Sequence, residues 1–243
     1  MIFDFEQSDE HITDFDPDLN FYDQITEGNS LNSCRYYNIN EINNCFYENI
    51  KSLKIVNYNV RSFNANFEQF YAIFTKVNPD ILILCETWFN DYCMSEVENY
   101  FSYHIVRTSS NGRGGGVSIY IRNGIHSELL PDLSFCHDNL EICSVKFRYG
   151  NSEHVVLGIY RPHDNLTVFN ELIGGIMDGV TLRSKSCFIC GDFNVNICDD
   201  SGSTQEFINL MQSFNFRPCI TKLTRFPTIE SHSPFRSNMV KCI

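Results

Sequence analysis

The decapeptide Cys187–Asn196, CFICGDFNVN, constrains this chain more than any other stretch. Four mostly apolar residues run into Gly191 and then into Asp192-Phe193-Asn194. A short run that is apolar on both faces and stops at a glycine has the pattern of a central strand buried on both sides. Gly191 is expected to let the backbone turn sharply after the strand. Asp192 and Asn194 are two apart, so they project to one face if the extended conformation continues. A carboxylate and an amide at the end of a buried strand suit hydrolysis. One accepts a proton or orients a water, and the other donates hydrogen bonds to an anionic oxygen. The plainer alternative is an Asx-rich turn that satisfies its own backbone.

Other segments repeat the design. Leu53–Val60 reads as a strand that ends in polar groups, Asn59 and Arg61. Asn64–Val77 carries an apolar stripe at helical spacing through Phe67, Phe70, Ile73, Phe74 and Val77, and Pro79 stops it. Ile81–Cys85 is a second buried strand with Glu86 at its end. This β–α–β order puts Asn59 and Glu86 at comparable strand ends. SSNGRGGG at 109–116 lacks the Lys-Ser/Thr of a nucleotide-binding loop and precedes the strand Val117–Ile121, so it reads as a tight loop entering that strand. Leu140–Phe147 and His154–Tyr160 read as strands, the second closed by Pro162. Leu166–Val180 and Thr204–Phe214 read as helices, and loop and strand follow from Pro218. Helices alternate with strands, so layers of helix over sheet are expected, with polar residues at one rim. One carboxylate among oxygen-rich neighbours suits a hard cation such as Mg²⁺.

The chain has 243 residues, and 43% of them are hydrophobic, enough for a large core. No apolar run approaches the roughly 20 residues of a membrane span, so no membrane association is expected. The start, MIFDFEQSDE, lacks the basic region of a signal peptide, and an intracellular, reducing compartment is the default. The 11 cysteines fit reduced core thiols, and the CxxC of Cys187 and Cys190 has no second pair with which to hold zinc. Residues 1–50 hold eleven Asp/Glu against one Arg, and the rest holds nineteen acidic and seventeen basic residues. Residues 1–50 are therefore expected to be an acidic, poorly ordered leader, with a short helix near 40–49. The remainder shows no basic stripe of the kind that drives tight nucleic-acid binding.

Taken in order, YNVRS at 58–62, CETW at 85–88, GRGGGVSIYI at 112–121, GIYRP at 158–162, GDFNVN at 191–196 and TRF at 224–226 resemble the endonuclease/exonuclease/phosphatase superfamily. That superfamily includes AP endonucleases and pancreatic deoxyribonuclease. ETW with GGGVSIYI resembles most its branch of endonuclease domains from LINE-type (non-LTR) retrotransposons. The resemblance covers about residues 53–233. It implies an α/β (α+β) four-layered sandwich, two packed mixed β-sheets flanked by helices. It implies Mg²⁺- or Mn²⁺-dependent cleavage of a phosphodiester, with DNA as partner and the nucleus as place of action. In retroelements the nick in target DNA primes reverse transcription. Carried over, Glu86 is the main metal ligand and Asn59 helps hold metal and phosphate. Tyr160 hydrogen-bonds the phosphate, Asp192 orients the attacking water, and Asn194 binds a phosphate oxygen, with Arg61 in the substrate-binding set.

Two departures shape the expectation. His163 stands where the family has a second proline. After Ser231-His232-Ser233 the family continues with an Ile/Leu-Asp-x-Ile strand and a closing Ser-Asp-His, whereas Pro234–Ile243 stands here and no Asp follows Asp200. The reading is an incomplete domain over 51–233 with its C-terminal strands missing, an unrelated tail over 234–243, and a truncated, inactive copy. The alternatives are a non-catalytic pseudogene-derived or binding protein, and another superfamily branch such as a phosphatase or deadenylase.

Overall fold

The computed structural model describes residues 2–6, 53–107, 114–162, 165–181, 186–197 and 200–220. Their strands are β1 (Ile2–Glu6), β2 (Ile55–Asn59), β3 (Ile81–Cys85), β4 (Tyr100–Ile105), β5 (Val117–Arg122), β6 (Ser127–Leu129), β7 (Phe135–His137), β8 (Leu140–Tyr149), β9 (Ser152–Tyr160), β10 (Ser186–Asp192) and β11 (Arg217–Pro218). Their helices are α1 (Phe67–Val77), α2 (Leu166–Thr181) and α3 (Gly202–Ser213).

The strands form two mixed sheets. One runs β2-β3-β5-β4, and the other runs β11-β1-β10-β9-β8-β6 with β7 also on β8. Between them lies a core of Ile55, Ile81, Ile83, Val117 and Ile119 from the first sheet against Val145, Phe147, Val156 and Cys190 from the second. Gly158 of β9 is needed here. A Cβ on it would come 2.9 Å from both Ile83 and Val117, so the sheets could not approach this closely. The outer face of the small sheet packs under α1 through Val56, Tyr58, Leu82, Leu84 and Phe70. The outer face of the large sheet packs under α2 and α3 through Leu157, Ile159, Ile189, Phe169, Ile173, Phe207 and Met211. Four layers result, and every position of β3 is buried because both of its faces and both of its edges are covered.

Three local readings need correction. The first helix begins at Phe67 rather than Asn64, because the Asn66 side chain donates to the carbonyls of Val60 (2.9 Å) and Arg61 (2.8 Å) and holds 64–66 as a turn. Gly191 does not end its strand. β10 continues through Asp192, and the glycine is required by space, since a Cβ there would overlap the backbone of Ile159 on β9. Within the stretch read as a leader, Ile2–Glu6 lies in the large sheet, antiparallel to β10 from Ile2↔Cys190 to Glu6↔Ser186 and flanked on its other edge by β11. The rest of that stretch, the helix near 40–49, His163, the TRF segment and the tail over 234–243 lie outside the described residues. Cys187 and Cys190 are buried thiols without a disulfide. No helix among the described residues is long and apolar enough to cross a membrane.

Candidate active site

The site follows from two parallel strand pairs, one in each sheet. β2 and β3 run parallel with Asn59 level with Cys85, and β9 and β10 run parallel with Tyr160 level with Asp192. Parallel neighbours end on the same side, so each pair delivers two polar groups to one rim. The pairs meet across the sandwich. Asn59 Nδ2 donates to Glu86 Oε1 at 2.6 Å and to Asp192 Oδ2 at 2.7 Å. The Asn57 side chain adds a second bridge, to the Gly191 carbonyl at 3.2 Å. A side-chain amide has two N–H groups, and here they point at one carboxylate from each strand end.

Backbone geometry aims these groups. Arg61, Ser62, Glu86, Trp88 and Asn194 all have positive φ, between 45° and 81°. Non-glycine residues in that region are held there by their surroundings. Beyond the ends of β2 and β3 the chain keeps pairing through Ser62 N–H to Glu86 O (2.8 Å) and Phe63 N–H to Thr87 O (3.0 Å). The other side of the Glu86 loop rests on the glycine run, with Thr87 N–H donating to Gly116 O (3.3 Å) and Trp88 N–H to Gly115 O (3.0 Å). Here the glycines have a use. A Cβ on Gly116 would come 2.6 Å from Thr87 Oγ1, and one on Gly115 would overlap the Glu141 carboxylate. The GGG that enters β5 is therefore a close backbone platform for the loop that carries Glu86.

Asn194 is placed differently from its expected partner position. Its left-handed φ of 49° breaks the extended run, so the simple alternation from Asp192 fails. Its amide donates to the Arg161 carbonyl at 2.6 Å, and its own N–H donates to Asp192 Oδ1 at 3.3 Å. Arg161 is buried and answers by donating from Nε to Phe193 O at 2.6 Å and from Nη2 to Asn194 O at 2.7 Å. The YRP and GDFN segments are thus locked to each other. Arg61 is exposed, and its N–H donates to Asn59 Oδ1 at 3.2 Å.

Tyr160 lies within the field of these carboxylates. Burial, then Glu86, Asp192 and Glu141, push its hydroxyl well above the usual tyrosine range, so it remains a neutral hydrogen-bond donor. Glu141 is fully buried, pairs with Tyr160 across the β8–β9 ladder, and is ion-paired to Arg107 while accepting the Gly116 N–H. Burial pushes its carboxyl up, and Arg107 opposes that shift.

The profile of the Endonuclease/Exonuclease/phosphatase family matches residues 56–238. The chain belongs to that family. Among solved structures it is similar to the endonuclease domain of TRAS1, a telomere-specific non-LTR retrotransposon. The TM-score is 0.56 at 13% identity, over 77% of this chain and 82% of that one. It is similar also to the AP endonuclease LMAP from Leishmania major, with a TM-score of 0.55 at 15% identity over 81% and 79%. No curated protein matches the sequence. The likeness to these members shows the fold, an α/β sandwich of two mixed sheets flanked by helices.

Within this family fold, Asn59, Glu86, Tyr160 and Asp192 gather at one rim, and Asn194 reaches it through Asp192 and Arg161. Sequence reading passed over Arg161, Glu141 and Arg107. Arg161 was visible as the middle of YRP, but its role depends on a loop 32 residues away. Glu141 opens an alternating strand, where a charged residue reads as solvent-facing, and only the fold shows that the site covers it.

Proposed function

We propose that this rim hydrolyses phosphodiesters in DNA with the help of a bound Mg²⁺ or Mn²⁺. The observation that carries the reading is the single Asn59 amide held between Glu86 and Asp192. Two carboxylates this close, with amide oxygens beside them, form an all-oxygen donor group that fits a small hard cation. Such an ion takes one or two carboxylates and completes its shell with water and substrate phosphate. Among the described residues no group of three or more His, Cys, Asp or Glu is placed to hold a metal ion by itself.

In this reading Glu86 is the main ligand, and Asn59 helps hold metal and phosphate. The cation, when bound, supplies charge to polarise the phosphoryl group and stabilise the leaving oxygen. Tyr160, kept neutral, donates to a phosphate oxygen. Asp192 accepts a hydrogen bond from the attacking water and orients it. Asn194 and Arg61 steady the phosphate from the two loops. Chromosomal target DNA, as in the retroelement branch, sets the nucleus as the place of action.

The family's closing Ser-Asp-His does not occur in these 243 residues. A general base of that kind is worth about 10²–10⁴-fold in rate. We therefore infer that this chain by itself nicks poorly. The second reading is a protein that binds DNA without cutting it. Plasmid nicking in Mg²⁺ tests both, comparing the chain, its Glu86→Ala variant, and the chain extended by an intact C-terminal segment from a related element. Nicking by the extended form that Glu86→Ala abolishes supports the nuclease site. Equal nicking by the unextended chain overturns the inference of low activity, and binding with no nicking by any form favours the second reading.

A further inference from the structure

We propose that Trp88 is a stacking platform for an unpaired nucleobase of the DNA strand whose phosphate lies at Glu86. The inference rests on the phosphodiesterase reading above and adds a substrate class to it, single-stranded or locally opened DNA.

Trp88 is the one tryptophan of the chain and stands two residues after Glu86. Its backbone is fixed twice over, by its N–H on Gly115 O and by the neighbouring Thr87 N–H on Gly116 O. It also sits at a φ of 57°, which a bulky residue adopts only where its surroundings impose it. A loop this constrained would be expected to bury its largest side chain. Instead Trp88 is 38% exposed, while Thr87 beside it is 2% exposed and Phe89 is 4% exposed. The loop therefore turns its smaller neighbours inward and its largest ring outward, two residues along the chain from the Glu86 that marks the phosphate position.

Charge decides what that ring does. Proteins that grip DNA through phosphates release counterions by means of many Lys and Arg contacts. Outside residues 1–50 this chain has nineteen acidic and seventeen basic residues, so that route is weak here. Base–aromatic stacking adds affinity beyond phosphate contacts and tolerates any sequence, because every base has a π face. A paired base is already stacked on both sides inside the duplex and has no face to offer. An unpaired base next to the phosphate does, and this sets the preference.

The sole tryptophan supplies its own probe. The full chain in Mg²⁺ is titrated with a single-stranded oligodeoxythymidylate of about 12 nucleotides, within the site sizes of single-strand binders. Indole emission is read beside fluorescence anisotropy of the labelled strand, and strand integrity is checked on a gel. We expect saturable quenching with the same Kd as the anisotropy. We expect little quenching by a fully paired duplex of equal length. Trp88→Ala raises the Kd about tenfold, Trp88→Phe restores most of it, and the exposed Phe101→Ala on β4 leaves it within about twofold. Strand binding with unchanged emission, or a Trp88→Ala Kd equal to that of the parent, overturns the proposal, as does failure of the parent chain to bind the strand. The two readings separate cleanly. Quenching that depends on Trp88, with no Mg²⁺-dependent nicking even by the C-terminally extended form, removes the nuclease function and leaves the platform. Nicking without quenching removes the platform alone.

Discussion

Asn59 Nδ2 lies 2.7 Å from Asp192 Oδ2, a contact that joins the end of β2 in one sheet to the end of β10 in the other. The same nitrogen serves Glu86 at 2.6 Å. Without a cation, this amide is what keeps two carboxylates side by side. Asn59→Asp replaces two donors by a third negative charge. In EDTA the variant should lose about 1–3 kcal/mol of stability, the scale for unsatisfied buried polar groups, and Mg²⁺ should return much of it. Urea midpoints with and without Mg²⁺ measure this, and an unchanged midpoint in EDTA would contradict the geometry.

Gly191→Ala should be among the most harmful small substitutions in the chain. The new methyl would overlap the backbone of Ile159, which cannot move without parting β9 from β10. A loss of about 3 kcal/mol or more is expected, at the upper end for overpacking. Gly175→Ala on α2 is the matched control, since a Cβ there meets nothing within 4 Å, and a helical alanine should gain about 0.5–1 kcal/mol. Thermal melts of the two variants should therefore move in opposite directions.

Glu141→Gln should cost about 1–3 kcal/mol even though it is nearly isosteric. Its oxygen can still accept the Gly116 N–H, but its NH₂ would face the Arg107 guanidinium, whose Nη2 is already buried without a hydrogen-bond partner. Glu141→Gln with Arg107→Gln should be closer to the parent than the sum of the two single changes. A double-mutant cycle that shows strict additivity would refute this coupling.

His104 gives the fold an acid limit. Burial lowers its pKa from 6.5 to about 4, and its Nδ1 is 2.8 Å from Ser118 Oγ between the rings of Phe89 and Tyr120. Between these values the unfolded chain binds the proton and the folded chain does not. The neutral ring's contribution is therefore whole above pH 6.5 and declines as the pH falls towards 4. His104→Phe should flatten that part of the stability profile, measured as urea midpoints across the range. An unchanged slope in the variant would assign the acid loss to other groups.

Much of this was legible in the residues. Ile81–Cys85 and Cys187–Cys190 are short apolar runs that end in polar residues, the pattern of strands covered on both faces, so layers of helix over sheet with polar residues at one rim were readable from the residues, while the two packed sheets were implied by the family resemblance. β4 was missed because YFSYHI neither alternates nor stays apolar. It is an edge strand in which no residue is fully buried, and its pairing with β5 supplies what its pattern lacks. β6 and β7 are three residues each, too short to carry a period. The side chains of Asn59, Glu86 and Asp192 could be named from their strand ends. The interlock of Arg161 with Asn194 could not, because it needs a left-handed residue that no composition rule places at 194.

The pairing of Ile2–Glu6 with β10 has a consequence for how a chain of this kind comes off the ribosome. Ile2–Glu6 lies far before its partner Ser186–Asp192 along the chain, so once β10 has been made the edge beside Asp192 stays open until β1 docks on it. Loop-closure entropy grows only slowly with length, so the finished contact is tolerable, but it is far from local and so forms late. Until it forms, the nascent protein presents bare N–H and C=O groups along the strand that bears Asp192, and chains crowded on one message can join there.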